Sequence, residues 1–293
     1  GISATLSDFK VAWGTEINDY QRAMFEALFG APNLGDSFGV EWDKEYHPDF
    51  ISSGQDCTDY SSSGTRVGSK GVTGWQFTRQ TDIINKLEPS SFKIEMVANA
   101  LKVNGGAEVR KVMNALTSKY YLKKAVVRVE SHGDPSNRTR LFIVGMHKRI
   151  GSRANNYSFP VGKNGSAPHA RRIAVPDDDV SPSQWITRDE WSREHKVLEL
   201  YDHPCSSSSP GHLIKIGQLG EGMGHSSIPH AIYSWDSIFN TQTTYNGGGV
   251  RLPLLYKQGE DVKRLRKTTP LEACRIASLD DSYLPFAQSF HDD

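Results

Sequence analysis

A cysteine, a glutamate and a doubled arginine, each beside a short apolar run, are the residues of this 293-residue chain best suited to chemistry. Cys57 lies in Asp49-Phe-Ile-Ser-Ser-Gly-Gln-Asp-Cys57-Thr-Asp-Tyr-Ser-Ser-Ser-Gly64, where a brief apolar strand, Phe50-Ile51, gives way to a Ser/Gly-rich loop. That order puts the sulfur at the carboxyl end of a strand, where α/β folds bind their ligands. A thiol there is exposed and available as a nucleophile. The competing reading makes Cys57 a small buried hydrophobe, the usual state of an unpaired cysteine, and its polar neighbours argue against burial. Glu95 sits in Ser91-Phe-Lys-Ile-Glu95-Met-Val97, which reads as a buried strand holding one carboxylate. Arg138 and Arg140 sit in Ser136-Asn-Arg138-Thr-Arg140, which leads into a second apolar run, Leu141-Phe-Ile-Val144.

The order and spacing of these blocks resemble the DNA (cytosine-5) methyltransferases, whose motifs run Pro-Cys-Gln, Glu-Asn-Val and Gln-x-Arg-x-Arg before a Phe-Ile-Val-Gly strand. Here they read Asp56-Cys57-Thr58, Glu95-Met96-Val97 and Ser136-Asn137-Arg138-Thr139-Arg140. The resemblance implies S-adenosylmethionine as cofactor and double-stranded DNA as partner, with the target cytosine flipped out of the duplex. It also implies roles: Cys57 adds to carbon 6, Glu95 holds N3 and the amino group, and Arg138 and Arg140 orient the base and stabilise charge. Gln55-Asp56 replace two prolines, and the Asp56 charge should raise the thiol pKa. Met96 stands for an asparagine that holds the loop, and Ser136 for a glutamine. A second reading is therefore a catalytically impaired, methyltransferase-like DNA-binding protein. A third is an RNA cytosine-5 methyltransferase, against which the long region after Gly151 favours DNA.

These groups need strands and helices to hold them. Residues 10–16 read as a strand ending in Glu16, and Asn18 with Gln21 gives a capping-box start to a helix. Tyr20, Ala23, Met24, Ala27 and Leu28 share a face of that helix, and Gly30 stops it. An acid ending the second strand of a Rossmann-like sheet can accept both hydrogen bonds of a ribose diol. By resemblance Glu16 takes that role, Asp36 meets the adenine amino group, and Ile17 completes the cofactor-binding set. After Gly64, Gly68, Gly71 and Gly74 a helix is expected to about Leu87, stopping at Pro89. A further helix presents Val109, Val112, Met113 and Leu116, followed by strands at 125–129 and 141–146. Alternating strands and helices predict an α/β fold with a mainly parallel sheet and helices on both faces. The resemblance makes this a Rossmann-like S-adenosylmethionine-dependent methyltransferase sheet with an inserted loop-rich target-recognition region.

The expected division is a catalytic lobe over 1–150, a target-recognition region over 151–259, and a return segment over 260–293 packing on the catalytic lobe. In the middle region Gly217 to Gly224 is glycine-rich but joins no strand to a helix, so it is not a dinucleotide loop. Its histidines lack metal-ligand spacing, so no metal site is expected. Resemblance places DNA recognition at Thr241 and Gln242. Thr269, Pro270 and Glu272 read as N-cap, first helical residue and capping-box acid. Against the family pattern, the first cofactor motif and the last motif are missing, so the sequence reads as a fragment.

Lys plus Arg and Asp plus Glu are both 34, so net charge does not announce a nucleic-acid binder. Arg171-Arg172 and Lys263-Arg264-Leu-Arg266-Lys267 are the local basic clusters. No apolar run approaches the roughly 18 residues of a membrane helix, so no membrane partner is expected. The three cysteines form no disulfide or zinc pattern. An intracellular protein of the cytoplasm and nucleoid, or of a nucleus, is expected, with a cognate restriction enzyme as a further partner.

Overall fold

Four strands make the sheet that carries Glu95. They are β1 (Phe50–Gly54), β2 (Ser91–Val97), β3 (Tyr120–Arg128) and β5 (Thr139–His147), in the order β1-β2-β5-β3. A computed structural model of the chain describes residues 9–43, 46–54, 59–60, 75–163, 167–185, 198–206, 214–219, 231–234, 238–240, 243–245, 249–251, 254–258 and 263–285. It contains two units: Gly1–Val127 with Thr139–Pro160, and Arg128–Arg138 with Val161–Asp293.

In the first unit β1 runs parallel to β2, with Ile51 opposite Phe92 and Gly54 opposite Glu95. β5 runs antiparallel to β2, with Ile94 opposite Ile143, Met96 opposite Leu141 and Val97 opposite Arg140. The Lys148 N–H donates to the Lys119 carbonyl at 2.9 Å, so the end of β5 meets the start of β3. The expected mainly parallel sheet is therefore mixed. The link from Arg128 to Thr139 is shorter than the dozen or so residues of a parallel crossover, and the chain can only turn back.

Strand alternation sorts β2 into two faces. Phe92, Ile94 and Met96 join Leu141 and Ile143 of β5 in one core with Phe77 and Ile84 of α2 (Gln76–Leu87) and Val109, Val112 and Leu116 of α3 (Ala107–Leu116). Each fully buried side chain of this size contributes about 1.5–3 kcal/mol. Both helices cover the same face, rather than one each. Gly145 lies opposite Phe92, and a Cβ there would fall 2.1 Å from the Phe92 ring, so the strand needs glycine for the aromatic to lie flat. Lys93, Glu95 and Val97 point to the other face, which is only partly buried.

Residues 10–16 do not form the expected strand; Gly14 makes a single bridge to Asn33. Helix α1 (Asp19–Phe29) starts where expected: Asn18 caps the Gln21 N–H at 3.1 Å, and Gly30 ends it at φ 60°. The reciprocal bond comes from Glu16, whose Oε1 accepts the Asn18 N–H at 2.9 Å. The inward face also differs. Tyr20, Ala23 and Ala27 are exposed, while Met24, Phe25, Leu28 and Phe29 are half-buried. Phe25 takes the space left by Gly14, where a Cβ would lie 2.5 Å from the ring.

The second unit holds α4 (Ala170–Ile173) and a five-stranded sheet. Its strands β6 (Leu198–Ser206), β7 (Ile214–Leu219), β8 (Ala231–Ser234), β12 (Leu254–Gln258) and β13 (Lys263–Lys267) stand in the order β13-β12-β8-β7-β6. β4 (Ser136–Asn137) pairs with β9 (Phe239–Asn240), and β10 (Thr243–Tyr245) with β11 (Gly249–Arg251). The region read as loop-rich thus carries paired strands. Helix α5 (Pro270–Ile276) has the expected capping box, both arms made by Thr269 and Glu272. Contacts group it with the second unit, where Glu272 Oε1 accepts the Val175 N–H at 2.9 Å and Arg275 donates to the Ile173 carbonyl at 2.9 Å. One residue of the basic cluster is not a surface charge: Arg266 is 1% exposed and forks onto Glu272, which is fully buried, at 2.6 and 2.7 Å.

Candidate functional site

Two groups of expected site residues come together in the first unit. The first is Glu95 with Arg140. Their strands are in register one step apart, Val97 opposite Arg140 and Glu95 opposite Phe142. Arg140 Nε reaches Glu95 Oε1 at 2.8 Å, with the side chains 14% and 25% exposed. A guanidinium fixes one carboxylate oxygen in place. Gly54 lies beside the other: a Cβ at Gly54 would sit 3.6 Å from Oε2, in ordinary contact. Phe142, opposite Glu95, lies under Lys93, whose ammonium is 5.8 Å from the ring centre.

Cys57 lies outside the described residues, but the chain just after it is held. Asp59 and Tyr60 are buried, and the Tyr60 ring meets Phe77 edge-on at 5.6 Å. Burial pushes the Tyr60 phenol up to about 12, with the Glu108 and Asp59 charges adding to it. Asn99, in a 3₁₀ turn after β2 (Ala98–Leu101), donates through Nδ2 to the Tyr60 carbonyl at 2.7 Å. Met96, which replaces the family's loop-holding asparagine, is a core residue, because its place in the strand alternation turns it away from Glu95. Asn99 supplies a loop-holding bond that residue 96 does not. The sequence does carry an asparagine close after Glu95, yet nothing in it names Tyr60 as its partner.

The second group is Glu16, Ile17 and Asp36. The segments carrying them run side by side, through Glu16 N–H to the Gly35 carbonyl at 3.1 Å and Leu34 N–H to the Gly14 carbonyl at 2.9 Å. Asn33 Oδ1 accepts the Gly35 N–H at 3.0 Å, and Gly35 at φ 74° turns the chain into Asp36. Asp36 Oδ1 accepts the Phe38 N–H at 2.9 Å. Among the described residues Glu16 Oε2 and Asp36 Oδ2 have no protein partner, and Ile17 is 71% exposed.

Arg138 belongs to the second unit, in the link between β4 and β5, where its N–H donates to the Ser136 carbonyl at 3.0 Å and its carbonyl accepts from Val129 at 3.0 Å. Ser136, which stands for the family's glutamine, is buried and bonds Asp134 through its hydroxyl and its N–H. Thr241 and Gln242 lie outside the described residues. Among the described residues no cluster of His, Cys, Asp and Glu could hold a metal ion, and no helix is long and apolar enough to cross a membrane.

Comparison with known proteins covers nearly the whole chain. The family described as C-5 cytosine-specific DNA methylase matches residues 1–290. The Type II methyltransferase M.HpaII of Haemophilus parainfluenzae is 26% identical over 294 residues, covering 94% of this chain and 75% of that protein. The Type II methyltransferase M1.ScrFI of Lactococcus lactis subsp. cremoris is 21% identical, covering 94% of this chain and 64% of that protein. The fold is similar to that of the Dnmt2 methyltransferase of S. pombe, with a TM-score of 0.59 at 13% identity over 93% of this chain and 80% of the other. It is similar again to the methyltransferase EhMeth of Entamoeba histolytica, with a TM-score of 0.61 at 14% identity over 92% and 78%.

Proposed function

The chain belongs to the C-5 cytosine-specific DNA methylase family, the DNA cytosine-5 methyltransferases, and on that premise we propose that it transfers a methyl group from S-adenosylmethionine to carbon 5 of a cytosine flipped out of double-stranded DNA, through a covalent adduct on Cys57. The observation that supports this most is the Glu95–Arg140 pair, a partly buried carboxylate held by a guanidinium at 2.8 Å and set opposite Gly54, the last residue of the strand that leads to Cys57.

Carbon 5 of cytosine is a poor nucleophile, and Cys57, as thiolate, adds to carbon 6 and moves electron density onto carbon 5. Glu95 holds N3 and the exocyclic amino group, favouring protonation at N3 as negative charge builds on the ring. Arg140 keeps that carboxyl group oriented, and Arg138 orients the base and stabilises its charge. Asn99 anchors the chain just after Cys57 through Tyr60. Bound S-adenosylmethionine supplies an electrophilic methyl group on its sulfonium. Once carbon 5 has taken the methyl group and the sulfonium has left as a neutral thioether, loss of the carbon-5 proton to water restores the ring double bond and expels the Cys57 thiolate.

The residues present fit that cofactor by the chemistry of their donor set. Glu16 retains one acceptor oxygen for the ribose hydroxyls, Asp36 retains one for the adenine amino group, and Ile17 offers an apolar face to the purine ring. In the second unit Thr241 and Gln242 read base edges, which carry sequence information that phosphates do not. The relatives' Type II names bring a cognate restriction enzyme into the proposal as a partner, and the site of action is intracellular DNA.

Incubation with cofactor and duplex DNA carrying 5-fluorocytosine in the target tests the mechanism, since fluorine cannot leave as a proton does. A denaturation-stable protein–DNA adduct is expected for the native protein and none for Cys57→Ser. DNA binding without an adduct in the native protein would replace this proposal with a binding protein that performs no methyl transfer.

A further inference from the structure

Arg79, in the first turn of α2, reaches back across the chain to the turn that presents Asp36. Its Nε and Nη2 donate to the Ser37 carbonyl at 3.2 and 2.7 Å, and Nη2 lies 3.4 Å from both the Phe38 and the Val40 carbonyl. The Trp42 indole N–H also donates to Ser37 O, at 3.1 Å. The guanidinium carbon stands 5.1 Å from the centre of the Phe38 ring, and that ring rests against Trp75, the N-cap of α2, at 4.0 Å.

Three carbonyl oxygens so close together repel one another unless a cation sits among them. A planar guanidinium with several fixed donors suits that place, and an ammonium, one point charge on a flexible stem, does not. The turn is already tight: Asp36 accepts the Phe38 N–H through its side chain and the Gly39 N–H through its carbonyl at 3.0 Å. Only the second carboxylate oxygen is left to meet a ligand, so its direction follows from the direction of the turn.

We propose that Arg79 is a positioning residue for the adenine end of the cofactor, aiming Asp36 by clamping the carbonyls of residues 37, 38 and 40, and thereby setting the preference for a 6-aminopurine over a 6-oxopurine. This rests on the reading that Asp36 accepts from the adenine amino group. The helix that begins after the Cys57 loop is thus also the anchor of the adenine contact. A carboxylate aimed at an amino group gains a hydrogen bond from it, and aimed at the 6-oxo group of inosine it meets a second acceptor.

Titration calorimetry of the full-length protein with S-adenosylhomocysteine and with S-inosylhomocysteine tests the inference. The native protein should prefer the adenosyl ligand by about tenfold or more, the range of one hydrogen bond to a charged group. Arg79→Ala and Arg79→Lys should both reduce that preference to about threefold or less, the level expected of Asp36→Ala. Their affinity for the inosyl ligand should change little, which also shows that they are folded. If the Arg79 variants weaken both ligands equally, or keep the native preference, Arg79 is merely structural and the inference is overturned. If the native protein itself shows no preference between the ligands, the assignment of Asp36 is wrong, and the inference falls with it.

Discussion

Removing the charge of Glu272 should unfold the second unit or bring it to the edge of unfolding. Its two oxygens accept four bonds: from Arg266 at 2.7 and 2.6 Å, from the Thr269 N–H at 2.8 Å and from the Val175 N–H at 2.9 Å. In Glu272→Gln one oxygen becomes an NH₂ that accepts nothing. The guanidinium of Arg266, 1% exposed, loses its carboxylate counter-charge, at a cost of about 3–5 kcal/mol. One backbone N–H also loses its acceptor, at about 1–3 kcal/mol. The sum, about 4–8 kcal/mol, compares with a whole-domain stability of about 5–15 kcal/mol. The double variant Arg266→Met/Glu272→Gln removes the buried cation and keeps only the lost acceptor, so it should be more stable than the Glu272→Gln single variant by about 3 kcal/mol. Urea unfolding followed by tryptophan fluorescence measures this, since Trp185 lies 6.0 Å from the Arg266 guanidinium. A double variant less stable than the single one, or a Glu272→Gln variant that loses under about 1 kcal/mol, would refute the reasoning.

Other perturbations reach the first unit and the last helix. Glu95→Gln should lower kcat by about 10²–10⁴-fold while S-adenosylhomocysteine still binds as before; turnover within a few-fold of native would remove the acid from the mechanism. His147 is held below its usual range by burial first and the Arg149 charge second, so the folded state favours neutral imidazole and the unfolded chain takes up the proton first. Stability should therefore fall as pH drops below about 6.5, and His147→Asn, which keeps an acceptor for the Arg149 N–H, should show a smaller loss of Tm between pH 7.5 and 5. Equal losses in both proteins would assign the acid sensitivity elsewhere. Burial first and the Asp281 charge second push the Cys274 thiol up, so maleimide at neutral pH should label it only after denaturation, as peptide mass spectrometry would report; rapid native labelling would contradict its burial.

Local pattern made some elements plain in the sequence and left others hidden. β2 and α3 are legible because their apolar spacing is set by one element at a time, and the Thr269–Glu272 box because both arms lie within one turn. The insertion of β5 between β2 and β3 is a choice among long-range pairings, which alternation alone does not rank. Arg266 looks like its basic neighbours until Glu272 folds back beside it. The inward face of α1 depends on Gly14 making room for Phe25, a contact between a loop and a helix. In the site, Glu95 and Arg140 could be found by type and spacing. Asn99 and Arg79 could not, since each acts on backbone carbonyls some forty residues away, and a carbonyl carries no mark in the sequence.

The strand order also governs how the first unit can be made. Among the described residues β3 has one neighbour in its sheet, and that neighbour, β5, is synthesised after it. At about 5–20 residues per second, β3 waits on the order of a second or more after it emerges, and the β5-facing edge of β2 waits longer still. An unpaired edge is a template for another chain. Lys123 and Lys124, both exposed on β3, put charge on the waiting strand and make it a poor partner for a neighbouring nascent copy. The sheet of this unit can therefore be completed only once Leu141 to Gly145 have been made, because they pair with β2 and carry Leu141 and Ile143 into its core.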